Sequence, residues 1–223
     1  MASKKKPDPN RFAPQTSGRR IGFRPERRYY LIVCEGEKTE PNYFEGLKKK
    51  LPPGVLSNYE IDVKGEGRNT QSLIDKAIEY KDKLESNTTR KVDKIWVVFD
   101  KDSFSDRLFN AAIHSCDRED IEIACAWSNE AFELWYLLHF AYYDSQLSRD
   151  QYAKKIEAHF KKAGNKDFKY AKNHPDMFAL LEDKIQTAIR NAKKLKATHT
   201  GKDHANHNPC TTVHDLVLEL LTL

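Results

Sequence analysis

The chain has 223 residues, 39% of them apolar and 32% charged, which is enough to close a hydrophobic core without disulfide or metal staples. Collagen-like, mucin-like and mini-protein readings are excluded. The formal net charge is +5, and residues 1–28 hold nine Lys or Arg against Asp8 and Glu26 alone, so the positive excess lies at the amino end.

Residues 1–27 combine that charge with Pro7, Pro9, Pro14 and Pro25 and with few apolar side chains, a composition that cannot offset the entropy of ordering. They read as a basic arm, disordered when free, that is either a solubilising tail or a phosphate-seeking segment for nucleic acid. Residues 29–34 form a compact β-prone run, and Thr39 with Pro41 opens a helix that carries Tyr43, Phe44 and Leu47 on one face. Residues 59–63 alternate like a second strand, and Leu73, Ile74, Ala77 and Ile78 recur at helical spacing across 70–85. A continuous apolar run at 95–99 predicts a third strand, 105–116 a helix, and 121–126 a fourth strand. Alternating strands and helices predict an α/β core over 28–127 whose sheet is mostly parallel and flanked by helices.

The pattern changes after Ala126. Asn129 is expected to cap a helix through Phe132, Leu134, Trp135, Leu137 and Leu138, and further helices are predicted over 150–162, 177–197 and 212–223. Polar connections at 165–175 and 198–209 join them, and no further strand is expected. Residues 128–223 therefore read as a helical carboxyl-terminal part packed on the core. No apolar run approaches the roughly 20 residues that cross a bilayer, and no signal-peptide core follows Lys4, Lys5 and Lys6. The expectation is a soluble cytoplasmic protein without membrane contact, in which Cys34, Cys116, Cys125 and Cys210 are reduced thiols.

Open parallel sheets bind ligands at the carboxyl ends of their strands, where the strand order reverses. What stands there is acidic. Strand one ends in Glu35-Gly36-Glu37 and strand three in Asp100-Lys101-Asp102, where alternation along an extended chain puts both aspartates on one side. In a sheet of order 2-1-3-4, strands one and three adjoin, so Glu35 faces Asp100 and Asp102 across a short crevice. Three carboxylates there suit Mg²⁺ or Mn²⁺, and the chemistry that follows is phosphodiester hydrolysis. Either motif alone is ordinary strand-end or turn chemistry.

Four segments carry a family resemblance. Residues 29–44, which include Val33-Cys34-Glu35-Gly36-Glu37-Lys38-Thr39-Glu40-Pro41, resemble the opening motif of RloB-like proteins, a Toprim-type group of bacterial abortive-infection and restriction loci. Val97-Val98-Phe99-Asp100-Lys101-Asp102 is similar to its aspartate motif, Ser128-Asn129-Glu130-Ala131-Phe132-Glu133-Leu134-Trp135 to its helix-opening motif, and Asn208-Pro209-Cys210-Thr211-Thr212-Val213 to its carboxyl-terminal motif. Glu130 departs from the proline of that pattern. The resemblance implies a Toprim-like fold, a divalent metal held by Glu35, Asp100 and Asp102, nuclease activity in phage defence, and an ATPase partner from the same locus. Topoisomerase and primase activities need domains that the helical remainder cannot supply. The rival reading is a non-catalytic nucleotide- or metal-binding sensor for the ATPase.

Several further candidates surround this centre. Glu133 reads either as a fourth acidic group beside the crevice or, with Asn129, Glu130 and Tyr136, as the wet stripe of its helix. Lys38 is a candidate for contacting phosphate or stabilising charge in the transition state. Arg68, in the glycine-containing loop before helix two, is a candidate substrate contact. Lys184, Arg190, Lys193, Lys194 and Lys196 line one predicted helix, as a basic wall for nucleic acid or as an ordinary solvated face. His199, His204, His207, Cys210 and His214 invite zinc, but their spacing argues against it and favours a mobile or substrate-contacting loop.

Overall fold

The computed structural model describes residues 27–66, 70–88, 90–102, 104–116 and 122–223, with no side-chain account of 70–72. The basic arm over 1–26 and the candidate Arg68 lie outside the described residues. Among the described residues five strands form one sheet: β1 (Arg28–Cys34), β2 (Tyr59–Gly65), β3 (Lys94–Asp100), β4 (Ile123–Asn129) and β5 (Cys210–Thr211). Their order is β2-β1-β3-β4-β5. The first four strands pair in parallel, and β5 is antiparallel to β4. This architecture is consistent with a Toprim-like fold.

The helices are α1 (Thr39–Lys50), α2 (Pro53–Asn58), α3 (Thr70–Asn87), α4 (Asp106–Ser115), α5 (Glu133–Leu138), α6 (Arg149–Lys162), α7 (Met177–Leu181), α8 (Ile185–Lys196) and α9 (Val213–Leu221). Strand alternation divides the core between two faces. Leu31, Val33, Val97 and Phe99 meet Leu73 and Ala77 of α3 and Phe109 of α4. Tyr30, Ile32, Trp96 and Val98 meet residues of α1 and α5 through α9 on the opposite face. The second cluster unites both halves of the chain, because Tyr43 and Phe44 of α1 pack with Phe132, Tyr136 and Phe178 at ring-centroid distances of 5.3–6.1 Å.

Four sequence expectations need correction. A fifth strand exists: Cys210 and Thr211 pair with Asn129 and Ser128, and a two-residue strand is too short to show as periodicity. Asn129 does not cap α5; it ends β4, and its side-chain amide donates to the Ala205 carbonyl at 2.8 Å. The helix expected over 177–197 is broken between α7 and α8 by a 3-10 turn at Glu182–Lys184. The chain at Asp102 is a turn with φ of 36°, so extended-chain alternation does not place its side chain.

Candidate functional site

The carboxyl ends of β1 and β3 meet as the strand order requires. Cys34 pairs with Val98 in the parallel ladder, and the Glu35 N–H donates to the Val98 carbonyl at 2.8 Å, carrying Glu35 just beyond the strand. The Glu35 carboxylate then accepts the Asp100 backbone N–H at 3.0 Å. The turn after Glu35 runs close beneath β2: a Cβ on Gly65 would lie 2.7 Å from the carbonyl oxygens of Gly36 and Glu37, so the passage needs glycine.

Asp100 points to the same face as Trp96 and Val98, and only 7% of it is exposed. Its Oδ2 accepts the Phe132 N–H at 3.1 Å, while Oδ1 is buried without a hydrogen-bond partner. Asp102 sits at the mouth of the crevice, with its N–H on the Glu130 carbonyl at 3.1 Å across the cis peptide that joins Asn129 to Glu130. Its Oδ2 meets Arg149 Nη2 at 3.0 Å, and the same nitrogen lies 3.8 Å from Asp100 Oδ2. The two aspartates share one cationic partner that is far away in sequence.

Glu133, the first residue of α5, is buried and accepts a hydrogen bond from the Tyr170 hydroxyl at 2.9 Å. Tyr136 and Asn129 are buried too, which removes the wet-stripe reading. Glu40 is the acidic residue that the candidate set missed. It is 5% exposed, its Oε2 has no hydrogen-bond partner, and its carboxylate lies so close over Gly36 that a Cβ there would come within 2.1 Å of that oxygen. The signal was present in the opening motif: an acid five residues beyond Glu35, in the first turn of a helix whose entrance faces the crevice.

The predicted polar connection at 165–175 is the outer wall of the site. The Lys172 carbonyl accepts the Thr39 hydroxyl at 2.6 Å, the Asn173 carbonyl accepts the Asn42 amide at 3.3 Å, and Tyr170 reaches Glu133. These contacts leave acidic groups close together out of water. Burial pushes the Glu35 carboxyl up from the usual 4.5 to about 7, with Glu40 and Asp102 adding repulsion against the lowering effects of the Asp100 N–H and Arg149. Burial, followed by the charges of Glu40, Glu133 and Glu35, holds Asp100 well above the ordinary aspartate range. Glu40 is raised in the same way, by burial and then by Glu133, although its own and the Gly36 backbone N–H groups and Lys172 oppose this.

The donor chemistry fits a hard divalent cation: two buried carboxylate oxygens, Asp100 Oδ1 and Glu40 Oε2, lack partners, and neighbouring charges raise both groups. Among the described residues no three His, Cys, Asp or Glu side chains already stand as a ligand set. Arg149 occupies the cationic position against the aspartates.

The remaining candidates take no part in these contacts. Lys38 is exposed at the entrance to α1. Lys101, between the aspartates, pairs instead with Asp106 at 3.1 Å. Arg190, Lys193 and Lys194 are exposed on α8, and Lys194 lies 4.1 Å from the Tyr142 ring centroid. Lys184 and Lys196 are paired with Asp183 and Asp215, so the basic wall is partly neutralised. His199, His204 and His207 line a cavity of about 340 Å³ with Trp127, Lys196 and Cys210, whereas His214 is buried outside that lining. There His199 and His207 stack at 4.9 Å, and their Nε2 atoms face the Pro209 and Thr200 carbonyls.

The family model described as RloB-like protein matches residues 30–220. The chain belongs to the RloB-like family. The match spans the sheet, the acidic crevice and the helices of this RloB-like protein up to α9. No curated protein and no solved structure matches it. Among the described residues, no helix is long and apolar enough to cross a membrane.

Proposed function

We propose that this RloB-like protein is a metal-dependent nuclease that hydrolyses nucleic-acid phosphodiester bonds, acting in bacterial defence against phage beside an ATPase partner. The observation that carries the reading is the closure of two acidic strand ends on each other: the Glu35 carboxylate on the Asp100 N–H, with Asp100 buried and one of its oxygens unpartnered. A purely structural role for such a group is expensive, because burying a carboxylate with one oxygen left unpartnered disfavours the anion.

Asp100, Asp102 and Glu40 are the residues that would hold Mg²⁺ or Mn²⁺, with Glu35 beside them. Bound there, the cation would polarise the phosphate, activate water and stabilise the leaving oxygen. Glu35 is suited to accept the proton, since its carboxylate stands beside these residues, fixed by the Asp100 N–H at 3.0 Å, where an adjacent cation would favour its ionised form. Tyr170 orients Glu133 by its hydrogen bond and keeps that carboxylate facing the crevice. Arg190, Lys193 and Lys194 provide exposed positive charge for the nucleic-acid backbone, which fits a substrate read first by its phosphates.

The test is cleavage by the purified chain of single-stranded and duplex DNA and RNA with Mg²⁺ or Mn²⁺, alone and with the ATPase of its locus. Cleavage is expected to need metal and to stop in EDTA. Asp100→Ala is expected to lose more than the roughly 10–100-fold that removal of an outer-shell group costs, while melting as a folded protein. Full activity in folded Asp100→Ala overturns the mechanism. No cleavage in any combination, with a stable ATPase complex, overturns the nuclease reading in favour of a sensor.

A further inference from the structure

Arg149 is the one cationic side chain in contact with the crevice aspartates among the described residues. Its position is unusual in three respects. The backbone beneath it is fixed: Ser148 and Gln151 form a reciprocal capping box, the Ser148 N–H meeting Gln151 Oε1 at 2.8 Å, and Tyr152, Ile156 and Phe160 bury the inner face of α6. The outer end of the guanidinium is open to solvent, the side chain being 39% exposed at the mouth of the crevice. Its hydrogen-bonding capacity is unspent, since Nε is buried without a partner and Nη2 alone reaches the aspartates.

A guanidinium offers five N–H donors in a planar fork that matches carboxylate or phosphate oxygens in pairs. Against Asp102 and Asp100 that fork is poorly used: one contact at 3.0 Å and one at 3.8 Å come from a single nitrogen. Arg149 and a divalent cation also need the same oxygens, and like charges crowded into a partly desolvated site repel. A side chain that loses its carboxylates to a cation still stands on a fixed helix start at the rim, with its fork facing outward.

We propose that Arg149 is the phosphate-gripping residue of this site. Asp102 and Asp100 hold it in reserve in the metal-free protein, and it exchanges them for the non-bridging oxygens of a nucleic-acid phosphate when the carboxylates take a divalent cation. This rests on the nuclease reading of the crevice and adds to it an order of events: substrate is gripped after metal.

The experiment uses Mn²⁺ and the full chain. Free Mn²⁺ is titrated by electron paramagnetic resonance, without nucleic acid, for the wild type, Arg149→Ala and Arg149→Lys, each first shown to melt cooperatively. Removing a competitor is expected to tighten Mn²⁺ binding in Arg149→Ala by about 5-fold or more, the lower end of coupling between two ligands of one protein. In the Mn²⁺-loaded proteins, binding of a phosphorothioate-protected single-stranded oligonucleotide is then followed against salt. Arg149→Ala is expected to bind more weakly, with a salt slope reduced by about one charge. Arg149→Lys is expected to keep the slope but lose affinity, because an ammonium retains the charge without the fork. Mn²⁺ binding that is unchanged or weaker in Arg149→Ala makes Arg149 a brace for Asp102 and overturns the proposal, while the nuclease reading stands. Unchanged oligonucleotide affinity and slope overturn it equally. If the wild type binds no Mn²⁺ at all, the metal-dependent reading itself falls, and this proposal with it.

Discussion

The α3–α4 face and the α1–α5 face of the sheet grow from the same strands yet bury different chemistry. Along β3, alternation sends Ile95, Val97 and Phe99 to the first face, where they meet Leu73, Ala77 and Phe109. It sends Trp96, Val98 and Asp100 to the second, where the apolar cluster also walls in Glu40 and Glu133. The first face stabilises the sheet. The second stabilises it too, with the packed rings of Tyr43, Phe132 and Tyr136, and on this face burial raises Asp100 and Glu40. A hydrophobic core that desolvates acids does so at some cost in stability of the fold.

Breaking each face separately should give the largest effects. Trp135, fully buried on the acidic face, should cost about 3–5 kcal/mol on replacement by alanine. That change should also weaken Mn²⁺ binding, because α5 carries Glu133 and its preceding turn supplies the Phe132 N–H to Asp100. Leu73→Ala on the opposite face should cost about 2–5 kcal/mol in urea denaturation and leave Mn²⁺ affinity per folded molecule unchanged. Equal losses of affinity in both variants would erase the distinction between the faces.

Titration sharpens the same contrast. Glu35 has a higher pKa folded, about 7, than the usual 4.5, so the native state keeps a proton that the unfolded chain has released, and stability falls as pH rises through that window. Between about pH 4.5 and about pH 7 the wild type should therefore lose melting temperature in EDTA relative to Glu35→Gln, whereas His139, which burial lowers from 6.5 to about 4, acts with the opposite sign in both proteins. Asp100 and Glu40 act with the same sign. Parallel profiles for wild type and Glu35→Gln over this range would contradict the burial of Glu35. The smallest effect belongs to Tyr170→Phe, which leaves buried Glu133 without its donor and should cost about 1–3 kcal/mol by denaturant unfolding. An unchanged stability would mean that Glu133 finds water or another partner.

Much of the site was legible because it sits where short-range patterns end. Glu35 and Asp100 follow apolar runs of strand length, alternating strands and helices imply a parallel sheet, and the expected order 2-1-3-4, which adjoins the two strand ends, is the order the first four strands take. Glu40 was visible as a residue but not as a member, since an acid in the first turn of a helix is ordinary helix chemistry until burial is known. Arg149 gave no signal: it lies 47 residues beyond Asp102 in chain numbering, and it is the start of α6, not any motif, that brings it to the crevice. Asp102 was placed on the correct side for the wrong reason, as its backbone turns with positive φ and its carboxylate is held by Arg149.

Periodicity in the chain determined which segments became strands and helices and which faces they bury, because these depend on residues two to four positions apart. Composition determined that the excess positive charge lies at the amino end. Tertiary structure alone decided that Tyr170 and Arg149 reach the acidic crevice, that two residues at Cys210–Thr211 complete the sheet, and that the carboxylates lose their water. Those outcomes depend on contacts between elements far apart along the chain, where local propensity carries no information and desolvation is set by everything packed around a group at once.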